Sequence, residues 1–158
     1  MAGVHVRIDN RLVHGQVTVA WTRRLGVRRL LVCNDEVAAD DLQRILLPQA
    51  ARGLPTDVLS VADTLLAPAG DGVMIITKHP EDLFRLVEGG LRPEVVNVGN
   101  AAPRPGDDYT MVTRSIAVTA DEAAGYRKLA AAGVPVVTQL MPQDKAADFV
   151  ALLDRKGL

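Results

Sequence analysis

The sequence is poor in aromatic residues and has a single cysteine. One tryptophan, two tyrosines and two phenylalanines make up 3% of its 158 residues. The hydrophobic core must therefore be built mainly from valine, leucine, isoleucine and alanine, a composition that is typical of the buried strands of an α/β sheet. The lone Cys33 cannot form an internal disulfide, and its apolar neighbours predict a buried strand thiol.

Strong net charge and a membrane-spanning run are also missing. The formal net charge is −1, which excludes the basic footprint of a nucleic-acid-binding protein. No segment resembles a signal peptide, and no apolar stretch reaches spanning length. We therefore expect a cytoplasmic chain that reaches a membrane only by docking on it.

The arginines are unevenly distributed along the chain. Residues 7–29 contain six arginines and one acid, Asp9. This local excess indicates either a basic patch beside the segment at residues 9–14 or a solvated helix end.

Strand patterns alternate with helical patterns along the whole chain. Strands are predicted at residues 4–8, 29–33, 57–60, 72–77, 94–98 and 134–139, with short pieces at 111–113 and 115–118. Helices are predicted at residues 15–25, 35–51, 61–66, 80–88, 119/120–132 and 144–155. This order predicts an α/β fold with three α/β/α layers, a mostly parallel central sheet and a single domain over residues 1–158.

Two local predictions depend on this assignment. Asp35 can cap the helix at 35–51, in which residues 37, 42, 45, 46 and 50 form an apolar stripe, and Pro48 shortens or kinks it. Residues 99–108 contain two prolines and two glycines and are predicted to be a loop.

A parallel sheet places its functional crevice at the carboxyl ends of its strands. By that rule the crevice is lined by the segments 9–14, 34–36, 78–80, 99–100 and 139–144. The first of these contains a histidine, His14, between a strand and a helix. Histidine is the side chain best suited to carry a proton or a phosphoryl group near neutral pH.

The neighbours of His14 suit a phosphoryl group on its ring. Arg11 can offer a guanidinium fork, and the helix that begins near Gly15 directs unpaired N–H groups toward an anion. Asp9 can orient Arg11 or bond the second ring nitrogen of His14. Such a relay requires no metal and no nucleotide cofactor, and the sequence contains neither Gly-x-x-x-x-Gly-Lys-Ser/Thr nor Gly-x-Gly-x-x-Gly.

The segment Arg-Ile-Asp-Asn-Arg-Leu-Val-His-Gly-Gln-Val at residues 7–17 resembles a signature of the IIB components of the mannose/sorbose-type phosphotransferase system (PTS). Further matching pieces are Trp21, the run 34–38 with Asp40, Lys78-x-Pro80, the run 97–100 and Gln139-x-Met141-Pro142-x-Asp144. The resemblance covers essentially the whole chain.

The resemblance implies a definite activity. In this family the loop histidine accepts a phosphoryl group from a IIA protein and passes it to a sugar imported through the membrane subunits IIC and IID. His14 would be the carrier, with Nδ1 as the expected phosphorylated atom, Arg11 would stabilise the transferring group, and Asp9 would shape the loop. A separate IIA protein and peripheral association with the transporter are implied, and a homodimer is compatible with the resemblance.

The rest of the loop is assigned supporting roles. Gly15 and Gln16 would contribute the backbone of the helix start. Asn10 replaces the commoner aspartate of the signature, which argues against any role that needs a carboxylate there and leaves the loop slightly more favourable to phosphate.

Other polar residues have a structural and a functional interpretation. Asp35 and Lys78 are crevice candidates, or else a helix cap and a surface charge. His79 can approach His14 or simply precede a helix. His5 is expected to be a sheet residue, and Trp21 a core residue rather than a sugar platform.

Two alternatives from other classes stay open at this point. One is a regulatory protein that is phosphorylated on His14 but phosphorylates no sugar. The other is a nucleotide- or small-ligand-binding module whose loop holds a free phosphate.

Overall fold

The computed structural model describes residues 3–67 and 70–158. Its strands are β1 (Val4–Asp9), β2 (Arg29–Cys33), β3 (Thr56–Leu59), β4 (Val73–Thr77), β5 (Pro93–Asn100), β6 (Tyr109–Thr113), β7 (Ile116–Thr119), β8 (Val136–Thr138) and β9 (Ala147–Asp148). Its helices are α1 (Gly15–Leu25), α2 (Asp35–Ala38), α3 (Asp41–Ala50), α4 (Val61–Leu66), α5 (Pro80–Glu88), α6 (Ala120–Ala131) and α7 (Phe149–Arg155).

The central sheet has seven strands in the order β3-β2-β4-β1-β5-β8-β9. All neighbours pair in parallel except β8 and β9, which are antiparallel. Strand β1 lies at the centre, between β4 and β5. The carboxyl ends of three adjacent strands therefore surround the loop that follows β1, as the crevice rule requires.

Apolar side chains cover the sheet on both faces. One face packs against α4–α7 through a cluster that includes Leu83, Tyr126 and Leu153. The other face packs against α1–α3 through Trp21, Val37 and partly buried residues of α3. The predicted three-layer arrangement with a mostly parallel sheet is therefore confirmed.

The predicted helix at residues 35–51 is wrong, because two helices occupy this segment. Helix α2 ends at Ala38, and Asp40 starts α3 by accepting hydrogen bonds from the backbone of residues 42 and 43. Asn34, not Asp35, caps α2, since its side chain accepts the Val37 N–H. Pro48 lies within α3, which ends two residues later.

The restart at Asp40 also changes which side of α3 faces the sheet. Leu42, Ile45 and Leu46 are 62%, 60% and 49% exposed, and α3 contains no buried residue. Leu47 and Ala50 contact the core instead. The predicted apolar stripe therefore lies mostly at the surface.

Other boundaries also differ from the prediction: the last predicted strand, at 134–139, is shortened to β8, and β9 was not predicted. Strand β5 continues to Asn100, so the predicted loop at 99–108 begins only after Asn100. The last residues of β5 stay paired with β1, with Asp9 opposite Asn100. The two short pieces form an antiparallel hairpin, β6–β7. Helix α7 begins at Phe149, where Asp148 caps it, instead of at residue 144.

Within residues 3–67 and 70–158, no helix is both long enough and apolar enough to cross a membrane.

Candidate functional site

His14 lies between the loop that follows β1 and the first turn of α1. It is the N-cap residue and its side chain is exposed. Its backbone N–H donates to Thr18 Oγ1 (3.0 Å), and its carbonyl accepts the Val17 N–H (3.0 Å). The backbone is thus held by the helix, while the imidazole does not cap the helix. The ring is available to a partner that approaches from solvent.

The first turn of α1 follows His14 directly. Gly15 has a φ of +39°, and a Cβ built on it would meet nothing within 4 Å, so backbone conformation and not space favours glycine there. Gly15 and the exposed Gln16 occupy the first turn, where N–H groups have no intrahelical acceptor. This turn contains no acidic residue. The partial positive charge of the helix end is therefore not compensated by its own side chains.

Arg11 is held by Asp9 in a two-point ion pair. Its Nε donates to Asp9 Oδ1 (3.0 Å) and its Nη2 donates to Oδ2 (2.9 Å), while the Arg11 backbone N–H also donates to Oδ1 (3.0 Å). Asp9 is 1% exposed and Arg11 is 32% exposed. The carboxylate thus orients the arginine, which is one of the two roles considered for Asp9. Nη1 remains on the outer edge of the guanidinium.

A second arginine, Arg7, lies beneath this pair and is only 2% exposed. Its Nε is 3.4 Å from Asp9 Oδ2, an ion-pair contact, and its Nη1 donates to the Gln139 carbonyl at 3.3 Å. Its guanidinium carbon lies 6.0 Å from the centre of the Trp21 ring. Burial lowers the pKa of Arg7, and the Asp9 carboxylate opposes this change. We refer to Arg7, Asp9 and Arg11 as the loop cluster.

Asn10 connects the loop to the end of β5. Its Oδ1 accepts from Asn100 Nδ2 (2.5 Å) and from the Ala102 N–H (3.0 Å), and its N–H donates to the Asn100 carbonyl (3.0 Å). Both side-chain bonds need an acceptor oxygen, which an asparagine or an aspartate can supply equally. The residue that departs from the family signature therefore retains the contact that an aspartate would make.

Two apolar residues of the loop anchor it in the core. Leu12 and Val13 are buried in the cluster that contains Trp21. Leu12 adopts a φ of +63°, and its N–H donates to the Asp9 carbonyl (2.9 Å). A non-glycine residue in this region costs about 1–3 kcal/mol. The burial of Leu12 offsets that cost and closes the turn that positions Arg11.

The segment at residues 139–144 forms the wall of the site beyond β5. The buried Asn97 side chain bonds both the carbonyl and the N–H of Gln139 at 3.0 Å. The indole of Trp21 donates to the Leu140 carbonyl (2.9 Å), and Asp144 accepts the Met141 N–H (3.0 Å). Trp21 is therefore a core residue that connects α1 to this wall, as predicted.

The structure does not group all of the predicted crevice residues with His14. Asp35 accepts the Val61 N–H (2.9 Å) and pairs with Arg85 (2.9 Å), so it connects α2 to the helices α4 and α5. These bonds lower the pKa of Asp35. Lys78 follows β4 and is partly buried. His79 starts α5, with its N–H donating to Asp82 (3.0 Å).

The excess of arginine does not form a patch beside His14. Arg23 and Arg24 lie in the last turn of α1, roughly 12–14 Å along the helix axis from its start at 1.5 Å per residue. Arg28 donates to the Asp71 carbonyl, and Arg29 pairs with Asp57. The solvated helix end, one of the two interpretations, describes these residues better.

His5 and Cys33 are structural. His5 lies in β1, with its ring centre 5.4 Å from that of Trp21. Burial and the charge of Arg7 lower the pKa of His5 to about 4, so the ring is neutral at pH 7. Cys33 is fully buried in β2, and burial raises its pKa to about 12. Both predictions from the sequence are confirmed.

A second set of charges follows β4 and β5, and sequence reasoning missed it. Arg104 pairs with Glu81 (2.6 Å), Glu122 (3.1 Å) and Asp107 (3.6 Å). Only Asp107, three positions from Arg104, is close in sequence, whereas Glu81 and Glu122 come from the starts of two different helices. We refer to Arg104 and these acids as the Arg104 cluster.

Arg7 was also missed as a residue of the site. Its position inside a strand whose neighbours are apolar is the one signal that could have found it, since a charged side chain there must be buried and paired.

Comparison with known proteins adds to this geometry. The profile of the family described as "PTS system sorbose subfamily IIB component" matches residues 4–158. The chain belongs to this family. The components of this family are phosphotransferases of sugar transport.

Individual relatives agree with the family assignment. The mannose-specific EIIAB component of Escherichia coli K12 is 37% identical over 158 residues, which is 94% of this chain and 48% of that protein. The chain thus spans about half the length of this relative. The N-acetylgalactosamine-specific phosphotransferase enzyme IIB component 2 of Escherichia coli K12 is 34% identical, with 93% and 96% of the two chains covered.

Solved structures share the fold along nearly the whole chain. The IIBSor domain of the sorbose permease from Klebsiella pneumoniae has a TM-score of 0.87 at 27% identity and covers 98% of both chains. The N-acetylgalactosamine-specific IIB component 1 from Escherichia coli has a TM-score of 0.82 at 32% identity, covering 91% of this chain and 97% of that one.

Proposed function

We propose that residues 1–158 act as one IIB unit, a phosphocarrier that accepts a phosphoryl group on His14 from a IIA protein. It then transfers the group to a sugar imported through membrane IIC and IID subunits. The observation that carries this proposal is the exposed His14 imidazole on the N-cap residue of α1, three positions after an arginine that is oriented by a buried carboxylate. Family membership supports the same reaction.

The acceptance step exchanges one P–N bond for another. A ring nitrogen of neutral His14 attacks the phosphorus of the donor phosphohistidine, and the bond between phosphorus and the donor nitrogen breaks. The donor imidazole leaves with that electron pair as a neutral ring, provided that its second nitrogen carries a proton. Nδ1 of His14 is the attacking atom that we expect.

The donation step releases the group to a hydroxyl. The sugar oxygen attacks phosphorus, the P–N bond to His14 breaks, and the hydroxyl proton passes to solvent. The phosphoryl group carries negative charge throughout both steps. The N–H groups of the first turn of α1 and the outer edge of Arg11 are the donors in place to stabilise it, so catalysis rests on positioning and electrostatics.

The proposed partners follow from these steps. The donor is a IIA protein or domain, and the acceptor sugar is presented by membrane subunits, on which this chain docks from the cytoplasm. The relatives are named for mannose, sorbose and N-acetylgalactosamine, so the acceptor belongs to the class of hexoses and related sugars.

A single labelling experiment tests the proposal. The chain is incubated with phosphoenolpyruvate, the general phosphotransferase proteins and a cognate IIA protein, and acid-labile phosphate is located by intact-mass and peptide analysis. The label is expected on His14 and is expected to be absent from His14→Ala. His79→Ala is the matched control and should be labelled like the original chain. Label that persists in His14→Ala would overturn the proposal.

The second half of the reaction needs its own measurement. The labelled chain, mixed with membranes that contain IIC and IID subunits and with a panel of hexoses, is expected to lose its label as sugar phosphate appears. A chain that keeps its label with every sugar would be a regulatory protein instead.

A further inference from the structure

The buried Arg7 is the feature of the site that the phosphoryl transfer steps leave without a role. In the sheet, Arg7 lies opposite Ile76 of β4, which in turn lies opposite Val32 of β2, and both of these residues are 0% exposed. An arginine in such a place loses several kcal/mol of hydration. Packing alone would favour another apolar residue, so a charge at this position requires an explanation.

The contacts of Arg7 satisfy its guanidinium only in part. Its contact with Asp9 is an ion pair at 3.4 Å, and Nε and Nη2 make no hydrogen bond within the described residues. One hydrogen bond of 3.3 Å to the Gln139 carbonyl remains. The Arg7–Asp9 ion pair therefore contributes little to the stability of the fold, because buried pairs are stabilising only when their hydrogen bonds are complete.

The surroundings nevertheless hold the guanidinium in one place. A Cβ on Gly99 would lie 2.3 Å from Arg7 Nη2, so the group packs directly on the Gly99 backbone. The Trp21 ring lies on another side of it. Gly99 therefore leaves space that the guanidinium fills, and a side chain at position 99 would collide with it.

The charge balance of the loop cluster supplies the explanation. Asp9 binds Arg11 through both of its oxygens, and by itself this pair would be electrically neutral toward an incoming anion. Arg7 approaches the same carboxylate from below and adds one positive charge. A charge in a weakly polarisable interior acts over a longer distance than one in water.

We propose that Arg7 is a positioning residue of the phosphoryl site. It balances Asp9 from beneath, so that Asp9 can hold Arg11 in place while the loop keeps a net positive charge for the phosphoryl group on His14. This inference rests on the proposed function and deepens it. Arg7 itself is buried and makes no hydrogen bond with His14 within the described residues.

The test compares two substitutions at this position. Arg7→Met removes the charge and keeps a long unbranched side chain, whereas Arg7→Lys keeps the charge and removes the planar fork. Arg29→Met is the matched control, since Arg29 is also a strand arginine paired with an aspartate but lies in β2 and contacts Asp57. The emission of Trp21, the only tryptophan of the chain, reports whether the surroundings of residue 7 are intact.

The first measurement is the rate of phosphoryl acceptance from phosphorylated IIA at increasing donor concentration. For Arg7→Met we expect the saturating rate to fall about tenfold or more, with the half-saturating concentration changed less than about twofold. Arg7→Lys should recover to within about threefold of the original chain, and Arg29→Met should be unchanged. A folded Arg7→Met that transfers at the original rate would overturn the inference, as would a folded Arg7→Lys that is as slow as Arg7→Met.

The second measurement needs no transfer at all. Inorganic phosphate is titrated at low ionic strength and followed by the NMR signals of the His14 ring. Binding is expected to weaken at least threefold in Arg7→Met and to be retained in Arg7→Lys. If the original chain accepts no phosphoryl group, the proposed function fails, yet a dependence of phosphate binding on Arg7 would still uphold the charge role. The charge role of Arg7 would be rejected if Arg7→Met bound phosphate as tightly as Arg7→Lys does.

If Arg7→Met does not fold, Arg7→Lys decides the question. A folded Arg7→Lys within threefold of the original rate shows that the charge suffices. A folded Arg7→Lys that is more than threefold slower shows that the charge alone does not suffice, and the inference is then wrong.

Discussion

The loop cluster and the Arg104 cluster both follow central strands of the sheet, but they have opposite compositions. In the loop cluster one carboxylate, Asp9, is shared by two guanidinium groups. In the Arg104 cluster one guanidinium is shared by three carboxylates. The distances are similar, and the sign of the surplus charge differs. Ion pairing by itself therefore does not set the net charge of a cluster, whereas the ratio of arginines to acids does.

The two clusters also differ in whether a change of protonation can reduce their excess charge. The surplus acids of the Arg104 cluster change one another's protonation. Burial raises the pKa of Glu122 and the neighbouring Glu81 raises it further, against the hydrogen bond from the Thr119 N–H. Burial would also raise the pKa of Glu81, but its hydrogen bond with Arg104 and the positive charge of Arg104, together with weaker hydrogen bonds, lower it overall. Binding of a proton can thus reduce the excess negative charge of the Arg104 cluster. The arginines of the loop cluster cannot lose a proton at neutral pH.

Deleting Arg11 is expected to have the largest effect on function. In Arg11→Ala the rate of phosphoryl transfer should fall about 10²–10³-fold, because a donor in place for the transferring charge is lost. Sequence reasoning alone predicts little loss of stability, but the burial of its partner Asp9 changes that expectation to about 1–2 kcal/mol. Transfer kinetics and urea unfolding measure the two effects. Arg104→Ala, in the other cluster, should transfer normally, and a comparable loss of rate there would contradict the comparison.

Removing the carboxylate of the loop cluster is expected to destabilise the fold most. Asp9→Asn leaves two guanidinium groups without their counter-charge, and breaking a buried pair costs about 3–5 kcal/mol. Urea unfolding at pH 7 gives this value. A loss below about 1 kcal/mol would show that the two arginines need no common partner.

Removing one carboxylate from the Arg104 cluster should change stability less than Asp9→Asn does, and should raise it instead of lowering it. The folded pKa of Glu122 is raised, so its stabilising contribution is present below its ordinary value near 4.5 and is lost as the pH rises through the raised pKa. Glu122→Gln should therefore be as stable as the original chain or up to about 1 kcal/mol more stable at pH 7, with the difference growing as the pH rises from about 4.5. Thermal melting against pH measures it.

Glu81→Gln provides the control for that experiment. Because the folded pKa of Glu81 is lowered, its carboxylate contributes stability above the ordinary pKa, and the substitution should lower the melting temperature at pH 7. If both substitutions shifted the melting temperature in the same direction at pH 7, the charge balance inferred for the Arg104 cluster would be contradicted.

Adding an acid next to the loop cluster is expected to have the smallest effect. In Asn10→Asp the oxygen that accepts from Asn100 and Ala102 is retained, so stability should change by less than about 0.5 kcal/mol. The added negative charge should slow phosphoryl acceptance a few-fold and increase its dependence on salt. Stopped-flow kinetics at two ionic strengths would show this, and a faster Asn10→Asp would argue against a role for surplus positive charge.

Much of the site could be predicted because its main residues are close in sequence. His14, Arg11 and Asp9 lie within six positions of one another, and a strand followed by a glycine and a helix brings them together at one end of the sheet. The order of strands and helices was predictable for the same reason, because the period of apolar residues is a local property. The elements that were wrong are those decided by a cap or by a long-range contact.

Asp40 is an example of the first kind. It accepts two backbone hydrogen bonds and starts a new helix, which rotates Leu42 and Ile45 to the surface although their spacing fits a buried stripe. Asn100 is an example of the second kind. It continues β5 because Asp9 lies opposite it in β1, ninety-one residues earlier in the chain.

The sequence by itself determined the alternation of strands and helices, the exposed histidine at the start of α1 and the arginine that accompanies it. Each of these follows from side-chain periodicity, helix capping and residues a few positions apart. Only the tertiary structure decided that Arg7 lies beneath Asp9 and packs on Gly99, that Asn10 binds Asn100, and that Arg104 collects three acids. Apart from Arg7 with Asp9 and Arg104 with Asp107, these contacts join residues 18 to 92 positions apart. The effect of their charges depends on burial, which exists only once the sheet is assembled.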